Sequence, residues 1–190
     1  YIGDWSSDVC SSDLIKSLYL RICMFKVLFL CHGNICRSPM AEFILKELVK
    51  KLKLEDDFIV CSAATSQEEI GNGVYPPVKA LLRQKGIDCS AKRARQVTVQ
   101  DLKAFDYIIA MEQFNLDNLY ALYPKTDKSK VYLLLDFTDT PKDIDDPWYT
   151  RDFEKAYSEI LVGCKALLSS LYHDGLITLN KEQKKELSEI

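Results

Sequence analysis

Val27-Leu28-Phe29-Leu30-Cys31-His32-Gly33-Asn34-Ile35-Cys36-Arg37-Ser38-Pro39-Met40-Ala41-Glu42 is the stretch on which the fold turns. Its first four residues form a continuous apolar run, as expected of a strand buried on both faces. Gly33 and Asn34 then supply residue types that accept a positive φ, so the chain can bend sharply. Ser38 is placed to cap a helix and Pro39 to occupy its first turn, while Ala41, Ile44, Leu45, Leu48 and Leu52 make one helical stripe. The reading is strand, tight loop, helix.

Outward from this unit the same alternation continues. Phe58–Cys61 reads as a strand, Val78–Lys85 as a helix closed by Gly86, Tyr107–Ala110 as a strand and Glu112–Leu122 as a helix. Pro124 interrupts the chain, Val131–Leu135 reads as a fourth strand, and Phe153, Tyr157, Ile160, Leu161, Cys164, Leu167, Leu168 and Leu171 keep the three-and-four spacing of a long helix. The pattern predicts a doubly wound α/β domain, a flavodoxin-like parallel four-stranded sheet with helices on both faces. Ligands of such sheets bind beyond the carboxyl ends of the strands, near the topological switch point, and Cys31 lies at such an end.

The rest of the chain narrows the function classes. With 190 residues, 47% hydrophobic and 28% charged, it suits one soluble domain with tails. A net charge of −3 gives no field for nucleic acid, and Lys92-Arg93-Ala94-Arg95 is too short a basic cluster to change that; it reads as a solvated turn. Seven cysteines without paired metal spacing and only two histidines, His32 and His173, argue against a metal site and for a reducing, cytoplasmic setting. Leu14–Leu30 is interrupted by Lys16, Arg21 and Lys26, so no membrane span is expected. Ser6–Leu14, reading SSDVCSSDL, is a near repeat that resembles the translation of a sequencing-adaptor oligonucleotide. Residues 1–23 are therefore expected to be a non-native extension, 24–175 the working domain, and 176–190 a charged tail, frayed or partly helical.

Cys31 and Arg37 are separated by five residues, a spacing that lets one loop wrap a phosphate with backbone amides while the guanidinium grips its oxygens. Chance supplies roughly 0.2 such matches in a chain of this composition, and Cys89–Arg95 is a second one. No apolar strand leads into Cys89, no glycine bends that stretch and no capped helix follows it, so it reads as a decoy. At Cys31 a helix N-terminus and a neighbouring arginine favour the thiolate, the form that attacks phosphorus. Cys61, Cys89 and Cys164 read as inert core residues.

The stretch Val27–Glu42 resembles the signature of low-molecular-weight protein tyrosine phosphatases of the bacterial type. The resemblance extends through Ser62-Ala63-Ala64 and Phe105–Met111 to Asp146-Pro147-Trp148-Tyr149, nearly all of residues 24–172. It implies that Cys31 is the nucleophile, that Arg37 binds phosphate with the amides of His32, Gly33, Asn34, Ile35, Cys36 and Arg37, and that Asp146 is the general acid. Ser38 would donate to the sulfur, and Asn34 with Ser62 would brace the loop. Trp148 and Tyr149 would form one wall of the substrate pocket, with Glu68-Glu69 standing where an aromatic often forms the other. Lys85 replaces a histidine frequent before this Gly-Ile. Cys36 matches the second loop cysteine, able to trap an oxidised Cys31 as a reversible disulfide.

These readings imply metal- and cofactor-free hydrolysis of phosphotyrosine in proteins, with inorganic phosphate as product, by a monomer or weak dimer that engages neither nucleic acid nor membrane. Protein arginine phosphatase is the nearest alternative, weakened by Ile35 where the arginine-specific relatives carry threonine. A thioredoxin-coupled arsenate reductase would need a closely spaced downstream cysteine pair, and Cys89 and Cys164 are far apart in sequence. A non-catalytic phosphate-binding redox sensor would not need Asp146.

Overall fold

The computed structural model describes residues 24–189. The expected extension at 1–23, with Cys10 and Cys23, lies outside them. In chain order the elements are β1 (Phe25–Cys31), α1 (Arg37–Lys51), β2 (Phe58–Ala64), α2 (Pro76–Gln84), α3 (Val99–Ala104), β3 (Tyr107–Ala110), α4 (Gln113–Leu122), β4 (Val131–Leu133), α5 (Pro147–Thr150), α6 (Phe153–His173) and α7 (Lys181–Glu189). The sheet has the order β2-β1-β3-β4 with every pairing parallel. This is the doubly wound arrangement the sequence predicts.

Alternate residues of β1 show why its apolar run is unbroken. Val27, Phe29 and Cys31 join the core formed by α1, α2 and α6, whereas Leu28 and Leu30 join a second core with Leu102, Phe105, Leu116 and Leu119 from the α3 and α4 side. A strand with two dry faces has no position for a polar residue. Helix α6 approaches closely enough that a Cβ at Gly163 would come within 2.6 Å of Leu134 Cγ, so a larger residue there would collide with the core.

Three readings change. The fourth strand stops at Leu133, and Leu134–Phe137 forms a 3-10 turn with Leu134 and Leu135 buried. Its partner β3 ends at Ala110, opposite Leu133, so no ladder is left to extend, and the Asp136 carboxylate accepts from the Leu133 amide to turn the chain. Helix α3 escaped the apolar pattern because it is short; a capping box between Thr98 and Asp101 starts it. The charged tail is helical: Asn180 and Gln183 cap α7 reciprocally, while Ile177 and Leu179 are buried in the main core, so packing continues past residue 175. Among the described residues no helix is long and apolar enough to cross a membrane.

Candidate active site

β1 delivers Cys31 to the carboxyl edge of the sheet, and α1 begins at Arg37. Between them Asn34 adopts φ 56°, the left-handed conformation that asparagine tolerates. Backbone bonds from Thr65 N to Cys31 O (2.9 Å) and from Ser66 N to His32 O (3.0 Å) pin the loop to the end of β2. Ser38 is not the helix cap expected from the sequence. The cap position is Cys36, without a side-chain bond. Ser38 lies a residue inside the helix, fully buried, with Oγ 3.0 Å from Cys31 Sγ.

The direction of that contact is set from behind the loop. Glu42 receives Lys92 Nζ at 2.7 Å, Lys46 Nζ at 2.5 Å and the Ser62 hydroxyl at 2.6 Å. Burial works against the charge on Glu42, but Lys92, Lys46 and Ser62 overcome it and hold the carboxyl below its usual range. Because the Ser62 hydrogen goes to this carboxylate, its oxygen accepts from Asn34 Nδ2 at 2.8 Å. The other Nδ2 hydrogen goes to Ser38 Oγ at 2.9 Å, and Asn34 Oδ1 accepts from Arg95 N at 3.2 Å, which fixes the amide orientation. Ser38 is left with one hydrogen, aimed at sulfur, the Ala63 carbonyl at 3.5 Å being the weaker acceptor. Asn34 N also approaches Cys31 Sγ at 3.3 Å. Asn34, Ser38 and Ser62 therefore sit behind the loop as the bracing set.

Arg37 is 1% exposed. Its Nη1 donates to Ile144 O at 2.9 Å, and its Nη2 is shared between Glu112 Oε1 at 2.7 Å and Asp146 Oδ2 at 2.5 Å. Nε has no partner among the described residues. Burial disfavours the guanidinium charge, but Cys31, Glu112 and Asp146 more than restore it. Cys36 is the opposite case: burial first, then the charges of Cys31 and Asp146, push its thiol far up, so it stays protonated.

Of three neighbouring acids only Asp146 faces this centre. Asp143 accepts from Gln113 N at 3.0 Å, and Asp145 pairs with Lys155 at 2.6 Å. Asp146 also caps α5, its Oδ1 accepting from Trp148 N at 3.0 Å. A cavity of about 150 Å³ opens here, lined from the loop by Cys31, His32, Gly33, Ile35, Cys36 and Arg37. Glu68 and Glu69 line it from the turn after β2, and Asp146, Trp148 and Tyr149 from α5 and its cap. Trp148 packs against Tyr75 in a tilted pair, ring centroids 4.9 Å apart, and Arg151 lies 5.6 Å over the Trp148 ring while donating to Tyr75 OH at 3.1 Å. Tyr149 is 81% exposed.

This arrangement has known counterparts: the sequence model of the low molecular weight phosphotyrosine protein phosphatases matches residues 26–185. The chain belongs to this family. It is 41% identical over 150 residues to the low molecular weight protein-tyrosine-phosphatase YfkJ of Bacillus subtilis, covering 78% of this chain and 96% of that protein. The low molecular weight phosphotyrosine protein phosphatase of Mus musculus is 41% identical over 152 residues, covering 77% and 95%. The crystal structure of YfkJ superposes with a TM-score of 0.76 at 40% identity over 80% of this chain and 96% of its own. A Drosophila structure described as an arginine phosphatase gives 0.69 at 35% identity, covering 77% and 97%.

Within this family member two basic positions do not behave as the sequence suggested. Lys92-Arg93-Ala94-Arg95 is not a solvated turn. Lys92 is largely buried on Glu42, Ala94 is buried, and Arg95 pairs with Asp101. Lys85 lies against α6, over Tyr157 at 5.2 Å and 3.6 Å from Glu154. Glu112, Lys92 and Tyr75 were not anticipated. Glu112 had a usable signal, since it follows β3 at the carboxyl edge.

Proposed function

We propose that the chain hydrolyses protein phosphotyrosine through a phosphocysteine on Cys31. The observation that carries this reading is the shared Nη2 of Arg37. Nη1 is held by Ile144 O and Nε is free, so an arriving phosphoryl group meets Nε and the Nη2 hydrogen now given to Asp146. That exchange releases the Asp146 carboxyl into the pocket beside the leaving oxygen.

Released from Arg37, the Asp146 carboxylate takes a proton from solvent; the Cys31 thiolate attacks phosphorus, the bond from phosphorus to the tyrosyl oxygen breaks, and Asp146 gives that proton to the leaving oxygen. In the second step the Asp146 carboxylate takes a proton from water, the water oxygen bonds to phosphorus, and the phosphorus–sulfur bond breaks. Ser38, whose hydrogen points at Sγ, supports the thiolate as it leaves. Trp148 and Tyr149 offer faces to the phenyl ring, which favours an aryl phosphate over phosphoserine. Ile35 lines the pocket, and its side chain, one carbon longer than threonine's and without the hydroxyl, would crowd the group next to phosphorus, which disfavours phosphoarginine.

The test compares phosphotyrosine, phosphoserine and phosphoarginine peptides, with Cys31→Ser as control. Phosphotyrosine should turn over fastest; equal rates for all three would sink the pocket reading. In rapid-quench experiments Asp146→Asn should slow phosphocysteine formation from a phosphotyrosine peptide by about 10²- to 10⁴-fold. An ester with a strongly acidic phenol should lose far less, because its oxygen leaves without a proton. Equal losses for both esters would remove Asp146 from the acid's role.

A further inference from the structure

The pocket binds an anion, yet its wall carries uncompensated negative charge. Buried Arg37 lines the cavity and its Nε has no partner among the described residues, which leaves a donor there for a phosphoryl group. Arg37 already shares its charge with Glu112 and Asp146. Glu68 and Glu69 line the same cavity, and among the described residues neither has a lysine or arginine within ion-pair distance. Among the described residues the one hydrogen-bond partner of the Glu68 carboxylate is His32 Nε2, at 3.2 Å. Glu69 accepts from the neutral Asn72 Nδ2 at 2.7 Å. Its side chain lies on the loop itself, close enough that a Cβ on Gly33 would stand 3.1 Å from Glu69 Cγ. The charge reaches the loop: after burial, Cys31 and Asp146, Glu69 is a further cause of the raised Cys36 thiol.

A dianionic phosphoryl group brought to this wall is repelled unless something positive arrives with it, and the phosphoryl group itself carries nothing of that kind. A lysine or arginine next to phosphotyrosine in a peptide supplies the missing charge, and it reaches the wall without displacing the phosphoryl group from Arg37. We propose that Glu68 and Glu69 are specificity-determining residues that select phosphotyrosine flanked by lysine or arginine. The proposal rests on the phosphatase reading above and adds to it the charge of the substrate.

Three phosphotyrosine peptides of one length, differing only in lysine, glutamine or glutamate on either side of the phosphotyrosine, test it through kcat/KM at low and high salt. The lysine peptide should exceed the glutamate peptide by about tenfold or more at low salt, mainly through KM, with the ratio shrinking as salt screens the wall. In the Glu68→Gln, Glu69→Gln double variant the ratio should fall to within about twofold. Phenyl phosphate, which has no flank, should show a higher kcat/KM in this variant than in wild type as repulsion of the dianion is relieved; an equal loss on phenyl phosphate and on all three peptides would overturn the charge-selecting role of Glu68 and Glu69. If wild type hydrolyses none of the peptides, the phosphatase reading falls and the proposal with it. Equal hydrolysis of all three overturns the charge selection alone, and a lysine preference that survives in the double variant overturns its assignment to Glu68 and Glu69.

Discussion

Cys31–Arg37 and Cys89–Arg95 share a spacing and little else. The first leaves a strand with two buried faces, bends at Asn34 and runs into α1, so its arginine is swallowed by the core and presents one edge to a cavity. The second turns at Asp88-Cys89-Ser90, where the Asp88 carboxylate accepts from Ser90 N at 2.9 Å, and continues extended toward α3. Its arginine reaches sideways, both Nη groups on Asp101 at 2.7 and 3.0 Å. Yet the second stretch is no bystander. Ala64 N donates to Arg95 O at 2.7 Å, Arg95 N donates to Asn34, and Lys92 holds both Glu42 and the Ser62 carbonyl. One stretch makes the pocket and the other buttresses it from behind, so the spacing matters less than the elements on either side of it.

The largest contrast should appear at the two cysteines. Cys31→Ser should lose on the order of 10⁵-fold or more in turnover of a phosphotyrosine peptide, because no nucleophile remains. Cys89 is buried, and its thiol is pushed up chiefly by burial, so it is not a nucleophile in waiting. Cys89→Ser buries a hydroxyl and should lower stability by about 1 to 3 kcal/mol while leaving kcat within about twofold. A large kcat loss in Cys89→Ser, measured on fully folded protein, would break the division of labour.

A smaller effect is expected where the buttress meets the loop. Lys92→Met removes one of two cations from buried Glu42, and unpairing a buried charge costs about 3 kcal/mol or somewhat less here, since Lys46 remains. The pH dependence follows from the lowered Glu42 carboxyl. A depressed carboxylate contributes stability that is present above its unfolded value and lost as pH falls through its folded one. The gap between wild type and Lys92→Met should therefore be full at neutral pH and close on acidification below the ordinary glutamate range. Urea unfolding across that range would show it; a gap that stays constant with pH would mean Lys92 acts by packing rather than by charge.

The fold was legible because its central strands β1 and β3 are dry on both faces and its longer helices keep their apolar spacing, signals that survive without knowledge of neighbours. The loop Cys31–Arg37 was legible from its spacing and the elements that flank it, whereas Asp146, Trp148 and Tyr149 were legible through the resemblance alone, since nothing in Asp143-Ile144-Asp145-Asp146 singles out one acid. The structure distinguishes them by partners: Lys155 takes Asp145, Gln113 N takes Asp143, and Arg37 takes Asp146. The buttress was not legible. Lys92 and Glu42 are far apart in sequence, and a lysine in a basic cluster looks solvated until a buried carboxylate is seen beside it. Asn34 and Arg95 meet through a backbone amide, which no side-chain pattern encodes.

The smallest effect tests the comparison most directly, because it concerns the residue that makes the second stretch look like the first. Arg95→Ala deletes a guanidinium that is partly exposed, with 39% of its side chain accessible, and a surface pair of this kind is worth about 1 kcal/mol even when two-pronged. Asp101 keeps the Thr98 amide and hydroxyl, each at 2.8 Å, so the cap of α3 survives. Burial opposes the Asp101 charge, but Arg95 and Thr98 together hold its carboxyl below the usual range. The contribution of the pair is thus present at neutral pH and fades as pH falls through the folded value of Asp101. The substitution leaves in place the Arg95 amide that braces Asn34 and the carbonyl that receives Ala64 N. Thermal unfolding should show a small loss at neutral pH that narrows in acid, with kcat and KM for a phosphotyrosine peptide within about twofold of wild type. A tenfold fall in kcat without loss of stability would show that the Arg95 side chain acts on the loop, and the two stretches would then share more than their spacing.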